Sequence, residues 1–372
     1  MKNSYAIIAM VVVAIIAGGG VYGVMASISS TVTSTLTSTV TSTSLSTSTP
    51  SPTTSTTSQV TTTKIVFGLS VTSYEYLPEY AALAGGFWSR LGLDVTLQPF
   101  QGDGPQMQAA ASGQINVGEA SYGGELLAES HGIGIKVVSV AMPEPDMVVI
   151  VAKNSSYTNP NQLSGATVAT TSSGSVTDIM FHIFAAHFNY TIGKNIYEIT
   201  PGYSGQLAAL EAGKVQAIVD AYDTAYALEA AGAGRILYNM SAIVPQWLEN
   251  AVYASNSLIS SNPSAIQNLL QGMYNAEAYI RSNNTWGVQV AMQYLHLNST
   301  VAQEDVSALL SPGILSSNGL FTTQVINGMS YERSQMLALN VSSTLIPANQ
   351  SYVTQFVPIT VQNQEPLSFV PS

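Results

Sequence analysis

The sequence predicts an α/β protein of two lobes, each a mainly parallel sheet with flanking helices, joined by a hinge. Three observations predict it. From Lys64 onward, short apolar runs rich in Val and Ile alternate with amphipathic stretches, the order that gives parallel strands linked by right-handed crossovers. Residues 106–123 (QMQAAASGQINVGEASYG) are echoed without a gap by residues 206–223 (QLAALEAGKVQAIVDAYD), pairing Gln106 with Gln206, Gly113 with Gly213 and Tyr122 with Tyr222. Roughly 300 residues follow Lys64, enough for two domains with real cores.

Residues 1–28 read as an N-terminal transmembrane anchor or signal. About 24 residues from Tyr5 onward are mostly apolar, long enough to span a hydrocarbon core of about 30 Å as a helix. A secretory apolar region is shorter, about 7–15 residues. Lys2 is the only flanking charge, so the N-terminus stays in the cytoplasm and the rest lies outside. Small residues near Ala26 leave cleavage open, which would make the protein secreted. Residues 29–63 are nearly all Ser and Thr, with Pro50 and Pro52. They have almost nothing to bury, so they read as a disordered stalk of mucin-like composition. Sequons at Asn154, Asn189, Asn239, Asn283, Asn298, Asn340 and Asn349 fit a glycoprotein on the cell surface.

Residues 64–143 make the first part of lobe one. KIVFGLS is a strand, a helix ends near Phe87–Trp88, and GLDVTLQPF is the next strand. The echoed segment adds a helix stopped by Gly113, suited to the position after a helix end, then a short strand and a loop carrying Tyr122. IKVVSVAMPEP leads across to lobe two, residues 144–250, where DMVVIVAKNSS is a long strand. There ATVAT is a strand, TSSGSVTD a loop, a helix ends near His187–Phe188, and NIYEITPGY precedes the second copy of the echo. Residues 251–339 return to lobe one through AVYASNS, and Asn262–Pro263 open a helix. Residues 340–372 form a C-terminal tail whose course the sequence leaves open, either wrapping the lobes or extending from them.

Composition excludes several functions. The chain has 10 basic and 21 acidic residues in 372, a net charge of -11, and no cysteine. A nucleic-acid binder needs a basic face. Disulfides, thiolate metal sites and a cysteine nucleophile are ruled out. Gly202-Tyr203-Ser204-Gly205 lacks the last Gly of a nucleophile elbow. His182 and His187 are five apart, about 140° around a helix, and do not make a two-ligand metal face. No catalytic site, metal site or cofactor is therefore read.

Ligands of such sheets bind beyond the carboxyl ends of the parallel strands. In lobe one those loops bring Ser70, Thr72, Ser73 and Tyr74, then Gln101 and Gly102, then Ser121 and Tyr122, with Met142 at the bridge. In lobe two they bring Thr171, Ser172 and Ser175, then Tyr203 and Ser204, then Asp220 and Tyr222. None of these loops carries Lys or Arg, which disfavours an anion held by a salt bridge. The turn of Ser172, Gly174 and Ser175 opens a helix, and its N–H groups could hold an oxyanion without a cation. Tyr122 and Tyr222, facing each other, would sandwich a flat solute. The loop acids Glu75, Asp103, Glu119, Asp220 and Asp223 suit an amine or ring nitrogen if they are not simply solvated.

The run AALAGGFWSRLGLDVTLQPFQG, followed by AAASGQINVGEAS, resembles the nitrate/sulfonate/taurine and thiamine-precursor solute-binding proteins of ABC importers. NPNQLSGATVAT and LAALEAGKVQAIVDAY in lobe two, and YASNSLISSNPSAIQNLLQGMYNA in the return, resemble them too, so the likeness covers roughly residues 64–339. It implies a type II periplasmic-binding-protein fold. It also implies extracellular capture of a small organic solute and delivery to ABC permease subunits, without enzymatic activity. A surface sensor or adhesin reusing the fold is the alternative. Where the family has Asp after its Gly-x-Ile turn, Asn116 stands here, and lobe two has Gln216 before Asp220. The cysteine cluster of eukaryotic relatives that make the thiamine pyrimidine is absent. The folded part stays poor in charge even without anchor and stalk, as suits an acidic exterior.

Overall fold

In a computed structural model, residues 62–244 and 246–367 are described. The expected anchor and nearly all of the expected stalk lie outside the described residues, and among those described no helix is long and apolar enough to cross a membrane.

The chain begins with β1 (Thr63–Leu69), a 3-10 turn (Tyr74–Tyr76) and α1 (Leu77–Ala84). Then come β2 (Leu93–Pro99), α2 (Asp103–Ala111), β3 (Val117–Ser121), α3 (Tyr122–Ser130) and β4 (Ile135–Met142). After a first crossing follow β5 (Met147–Ala152), β6 (Thr167–Ala169), α4 (Val176–His187), β7 (Tyr197–Ile199), α5 (Tyr203–Glu211), β8 (Ala217–Ala221), α6 (Tyr222–Ala230) and β9 (Gly234–Asn239). After a second crossing come β10 (Asn250–Ser255), α7 (Asn256–Ser261), α8 (Pro263–Ser282), α9 (Asn284–Tyr294), α10 (Ser299–Leu309) and α11 (Thr323–Ala338).

Two five-stranded sheets result, ordered β2-β1-β3-β10-β4 and β7-β6-β8-β5-β9. β1 pairs in parallel with β2 and β3, and β6 with β7 and β8. β10 is antiparallel to β3 and β4, and β5 to β8 and β9. Four strands of each sheet therefore run one way. The fifth is the strand that has just crossed from the other lobe, and it inserts between two strands of the receiving sheet. β3, β5 and β8 are buried along their whole or nearly whole length, as expected of strands covered on both faces by helices.

The echo of one hundred residues is structural. α2 and α5, β3 and β8, and α3 and α6 each start and stop one hundred positions apart. Gly113 and Gly213 follow the first helix of each copy with φ of 76° and 67°, left-handed values that glycine adopts without strain.

α8 is the longest helix among the described residues. Asn262 caps it, Pro263 opens it, and Leu269, Leu270, Met273 and Tyr274 are buried along it. It packs on α1, and Trp88 donates its indole N–H to Leu269 O at 2.8 Å. α1 stops at Ala84, short of the expected Phe87–Trp88, because Gly85 and Gly86 turn the chain, Gly86 with φ of 66°. The tail wraps lobe one. Tyr352 bridges to Val137 beside β4, Leu345, Phe356 and Ile359 are buried, and Leu367 N–H reaches Gly85 O.

Candidate functional site

The loops after β1, β2 and β3 face those after β6, β7 and β8, so the two sheets point the carboxyl ends of their parallel strands at one seam. The lobes touch there through direct hydrogen bonds. Ser73 Oγ and Tyr74 N–H of lobe one donate to Asp223 Oδ2 at 2.8 and 3.2 Å. The Tyr74 hydroxyl donates to Asp146 Oδ2 at 2.9 Å. Gly104 N–H reaches Ser172 Oγ at 3.2 Å, and Val176 N–H of lobe two donates to Asp103 Oδ2 at 3.2 Å. Ser204 N–H donates to Gln101 Oε1 at 3.1 Å.

A cavity of about 30 Å³ is left in the seam, room for a water or two and not for an organic solute. Its walls are Ser70, Ser73, Glu75, Tyr76, Gly102 and Asp103 from lobe one. Met147, Thr171, Ser175, Val176, Thr177, Tyr203 and Asp220 line the opposite side, with Val71 and Asn250 completing it. A larger groove of about 370 Å³, lined by Tyr274, Glu277, Arg281 and Ile359 among others, lies between α8 and the tail. It belongs to one lobe only and holds the Glu277–Arg281 ion pair, so the seam is the candidate site.

Seven of the sequence-predicted site residues reach the cavity wall: Ser70, Ser73, Gly102, Thr171, Ser175, Tyr203 and Asp220. Tyr74, Gln101, Ser172 and Ser204 join the lobes beside it. Ser121 lies behind the wall, where it caps α3 and hydrogen-bonds Asp103. Met142 is buried at the end of β4, its sulfur 3.8 Å from Asn250 Nδ2. Thr72 is half-buried and off the wall.

Two expectations are corrected. Tyr122 and Tyr222 do not face each other. Tyr122 is fully buried, with its hydroxyl 3.1 Å from Ser351 Oγ of the tail. Tyr222 stacks on Tyr226 at 5.7 Å and takes a hydrogen bond from Asn239. Each is the first residue of its helix and packs within its own lobe. The N–H groups of Ser172, Gly174 and Ser175 are not free either: they go to Ser175 Oγ at 3.4 Å, Asp178 Oδ2 at 2.6 Å and Ser172 O at 3.1 Å, and the Val176 N–H goes to Asp103.

Eight wall residues stand outside the predicted set: Val71, Glu75, Tyr76, Asp103, Met147, Val176, Thr177 and Asn250, although Glu75 and Asp103 are among the loop acids. The two acids stood in the right loops but read as plausibly solvated, whereas both are buried. Asn250 donates to Glu75 Oε2 at 2.8 Å. It opens β10 far along the chain, and no local pattern marks it.

The seam is a cluster of carboxyls without a cation on its wall. Burial, then Asp146 and Asp223, push Glu75 well above the usual carboxylate range. Burial lifts Asp146 to about 7 against the pull of the Tyr74 hydroxyl. Asp220 is raised by burial and then by Asp223, and its Oδ2 accepts from Gln206 Nε2 at 2.7 Å. Burial raises Asp223 too, against hydrogen bonds from Ser73 and Tyr74. Protonated carboxyls both donate and accept, so the wall can recognise hydroxyl, amide and amine groups.

Among the described residues, Asp178, His182 and Glu198 bring three metal-capable atoms within 4.8 Å of one another. His182 Nε2 stands 3.2 Å from Asp178 Oδ1 and 3.4 Å from Glu198 Oε2. Those two carboxyls raise its pKa to about 9, so the imidazolium is itself the cation, tying α4 to β7. His187 is exposed on the same helix.

A family model described as NMT1/THI5 like matches residues 73–284. Among solved structures, the chain is similar to the alkanesulfonate-binding protein SsuA from Xanthomonas axonopodis pv. citri bound to MOPS. Identity there is 17%, with 75% of this chain and 93% of that one covered at a TM-score of 0.66. It is similar to the periplasmic aliphatic sulphonate binding protein SsuA from Escherichia coli, at 17% identity, 83% and 97% coverage and a TM-score of 0.64. It is also similar to the periplasmic nitrate-binding protein NrtA from Synechocystis, at 11% identity, 78% and 84% coverage and a TM-score of 0.64. At these identities the likeness shows a shared fold, the type II periplasmic-binding-protein fold. No curated protein matches the sequence.

Proposed function

The chain belongs to the NMT1/THI5-like family, and from that premise we propose that it is the solute-binding component of an ABC importer. It captures a small organic solute between its lobes outside the cell and hands it to the permease subunits, binding it without chemical change. The N-terminal segment holds it at the membrane, or directs its export if cleaved. The observation that carries this reading is the seam itself. Among the described residues, two lobes joined by two crossings enclose a polar cavity built from both, the arrangement that opens and closes on a solute by hinge motion. The cavity is too small for an organic solute while the lobes touch, so uptake requires them to part.

The solute class follows from the wall. The neighbours are named for sulfonate and nitrate, both anions. Here Glu75, Asp103 and Asp220 line the cavity with Tyr76 and Tyr203, and no Lys or Arg does. An amine-bearing or aromatic solute fits these partners better than a salt-bridged anion. The test is a thermal-shift screen of the full-length chain against amines, thiamine precursors, flavins, peptides, sulfonates and nitrate. A saturable rise in Tm with an amine or aromatic solute is the expected result, because a ligand of the native state alone must stabilise it. No rise with any small solute counts against the import role.

A further inference from the structure

We propose that Asp103 is a built-in anion: its carboxylate fills the point where three helix N-termini meet across the seam, latches the lobes together and bars oxyanions from the cleft. This rests on the solute-binding reading only in naming the solute class. Asp103 is the first residue of α2 and is 3% exposed. Its Oδ1 accepts from the Ser70 hydroxyl and from Ser121 N–H at 3.4 Å. Its Oδ2 accepts from the Ser121 hydroxyl at 2.6 Å and from Val176 N–H at 3.2 Å. Ser121 is the N-cap of α3, and Val176 is the first residue of α4 in the other lobe.

The carboxylate thus sits at the positive ends of α2, α3 and α4 and takes four hydrogen bonds. Helix N-termini attract anions through their dipoles and unpaired N–H groups, and here the anion is part of the chain. Gly124 admits the carboxylate, and Gly102 lets the facing lobe close on it. A Cβ at Gly124, in the first turn of α3, would lie 3.0 Å from Asp103 Oδ2. A Cβ at Gly102, just before α2, would lie 2.7 Å from Ser172 Oγ of the facing lobe. No Lys or Arg lines the cavity, and the four donors that converge on this point are taken by Asp103. Glu125 and Glu332 stand nearby, both pushed upward chiefly by burial, with the Asp103 charge adding to it. Burial raises Asp103 as well, but the Ser121 and Ser70 hydroxyls and the Val176 and Ser121 N–H groups all pull against it, so Asp103 is the member of the cluster best equipped with donors for a charge.

The test compares the full-length chain with Asp103→Ala, using nitrate and methanesulfonate as probes and gluconate, too bulky for the cavity, to hold ionic strength. The wild-type Tm is expected not to move. The variant is expected to melt lower, and 50 mM methanesulfonate is expected to restore about 2–4 °C saturably, as an external oxyanion takes the vacated donors. Asp103→Asn, which refills the place with a neutral amide, is expected to show at most a third of that recovery. Equal anion stabilisation of wild type and Asp103→Ala overturns the proposal, as does a folded Asp103→Ala with no anion response. Should Asp103→Ala not fold, hydrogen exchange of wild-type residues 171–178 with and without 100 mM nitrate decides. Unchanged exchange supports the proposal, and nitrate-induced protection overturns it. Failure to find any transported solute would count against the import role and leave this comparison intact.

Discussion

Tyr74 makes two of the seam's hydrogen bonds, one from its backbone and one from its side chain. Its backbone N–H holds Asp223 and its hydroxyl holds Asp146, so one residue of lobe one grips two carboxyls across the crossing. Tyr74→Phe keeps the ring and removes the donor, leaving both buried oxygens of Asp146 without a partner. Losing such a bond costs about 1–3 kcal/mol. The expected result is a lower Tm and weaker closure, seen as faster proteolysis of the crossing segments. A Tm equal to wild type would show that the bond contributes nothing. Asp103, Glu75 and Asp223 teach the same point as residues. All three stood in the right loops by sequence, yet their burial depends on the facing lobe, which no local pattern encodes. Tyr122 fails for the converse reason: its loop was right, but the partner that claims its hydroxyl, Ser351, lies in the tail.

At the scale of elements, α8 and the segment that follows α1 meet at a close approach set by glycine. A Cβ on Gly272 would lie 2.3 Å from Trp88 Cδ1, and Trp88 cannot retreat without losing its bond to Leu269 O. Gly272→Ala should therefore destabilise by about 1–3 kcal/mol despite the better helix propensity of Ala. Urea unfolding checks this; a stabilised variant would mean that the indole moves freely. Elements were the most legible scale in the sequence. The echoed units, the Asn262–Pro263 helix start and most of the strands stand near where periodicity and capping residues put them, because those signals act within one turn or one strand; β4 reads only as the bridge between lobes and β9 not at all. Strand order was less legible. That β5 and β10 enter antiparallel in the midst of the opposite sheet follows from the crossings, which no periodicity reports.

The whole molecule buries more than half of its 21 acidic residues. Among the described residues, only Asp178 and Glu277 of these have a cationic partner within 4 Å. Burial lifts Glu79, Asp146 and Glu277 to about 7, in Glu277 against the pull of Arg281. It lifts Glu119, Glu125, Glu249 and Glu332 well above the usual range, and Asp305 to about 8. A carboxyl raised on folding keeps its proton where the unfolded chain, with values near 4, has lost its own. Its stabilising effect is full below about pH 4 and is lost as pH rises through 7. His182, raised to about 9, adds stability that is full below its ordinary value of about 6.5 and fades as pH rises through 9. Asp178, held low by His182 and the Gly174 N–H against burial, acts the other way, losing its effect as pH falls below about 4. The raised groups outnumber it. Unfolding measured from pH 3 to 8 should show greatest stability near pH 4–5 and a steady decline toward 8. A maximum at pH 7 or above would contradict this, and with it the acidic exterior that the low charge suggested.

The sequence by itself determined the two lobes, their alternating elements, the family and a cleft without cations. The elements rest on signals within a short window of chain, namely apolar period, caps and glycine stops, while the lobes and the family rest on the order and spacing of those signals along residues 64–339. Tertiary structure alone decided which cleft residues face inward, that the seam is walled by protonatable carboxyls, and that Asp103 stands at the meeting of three helix ends. Those facts depend on groups tens to hundreds of residues apart being packed together. Their burial and their partners exist only once both lobes are folded and closed on each other.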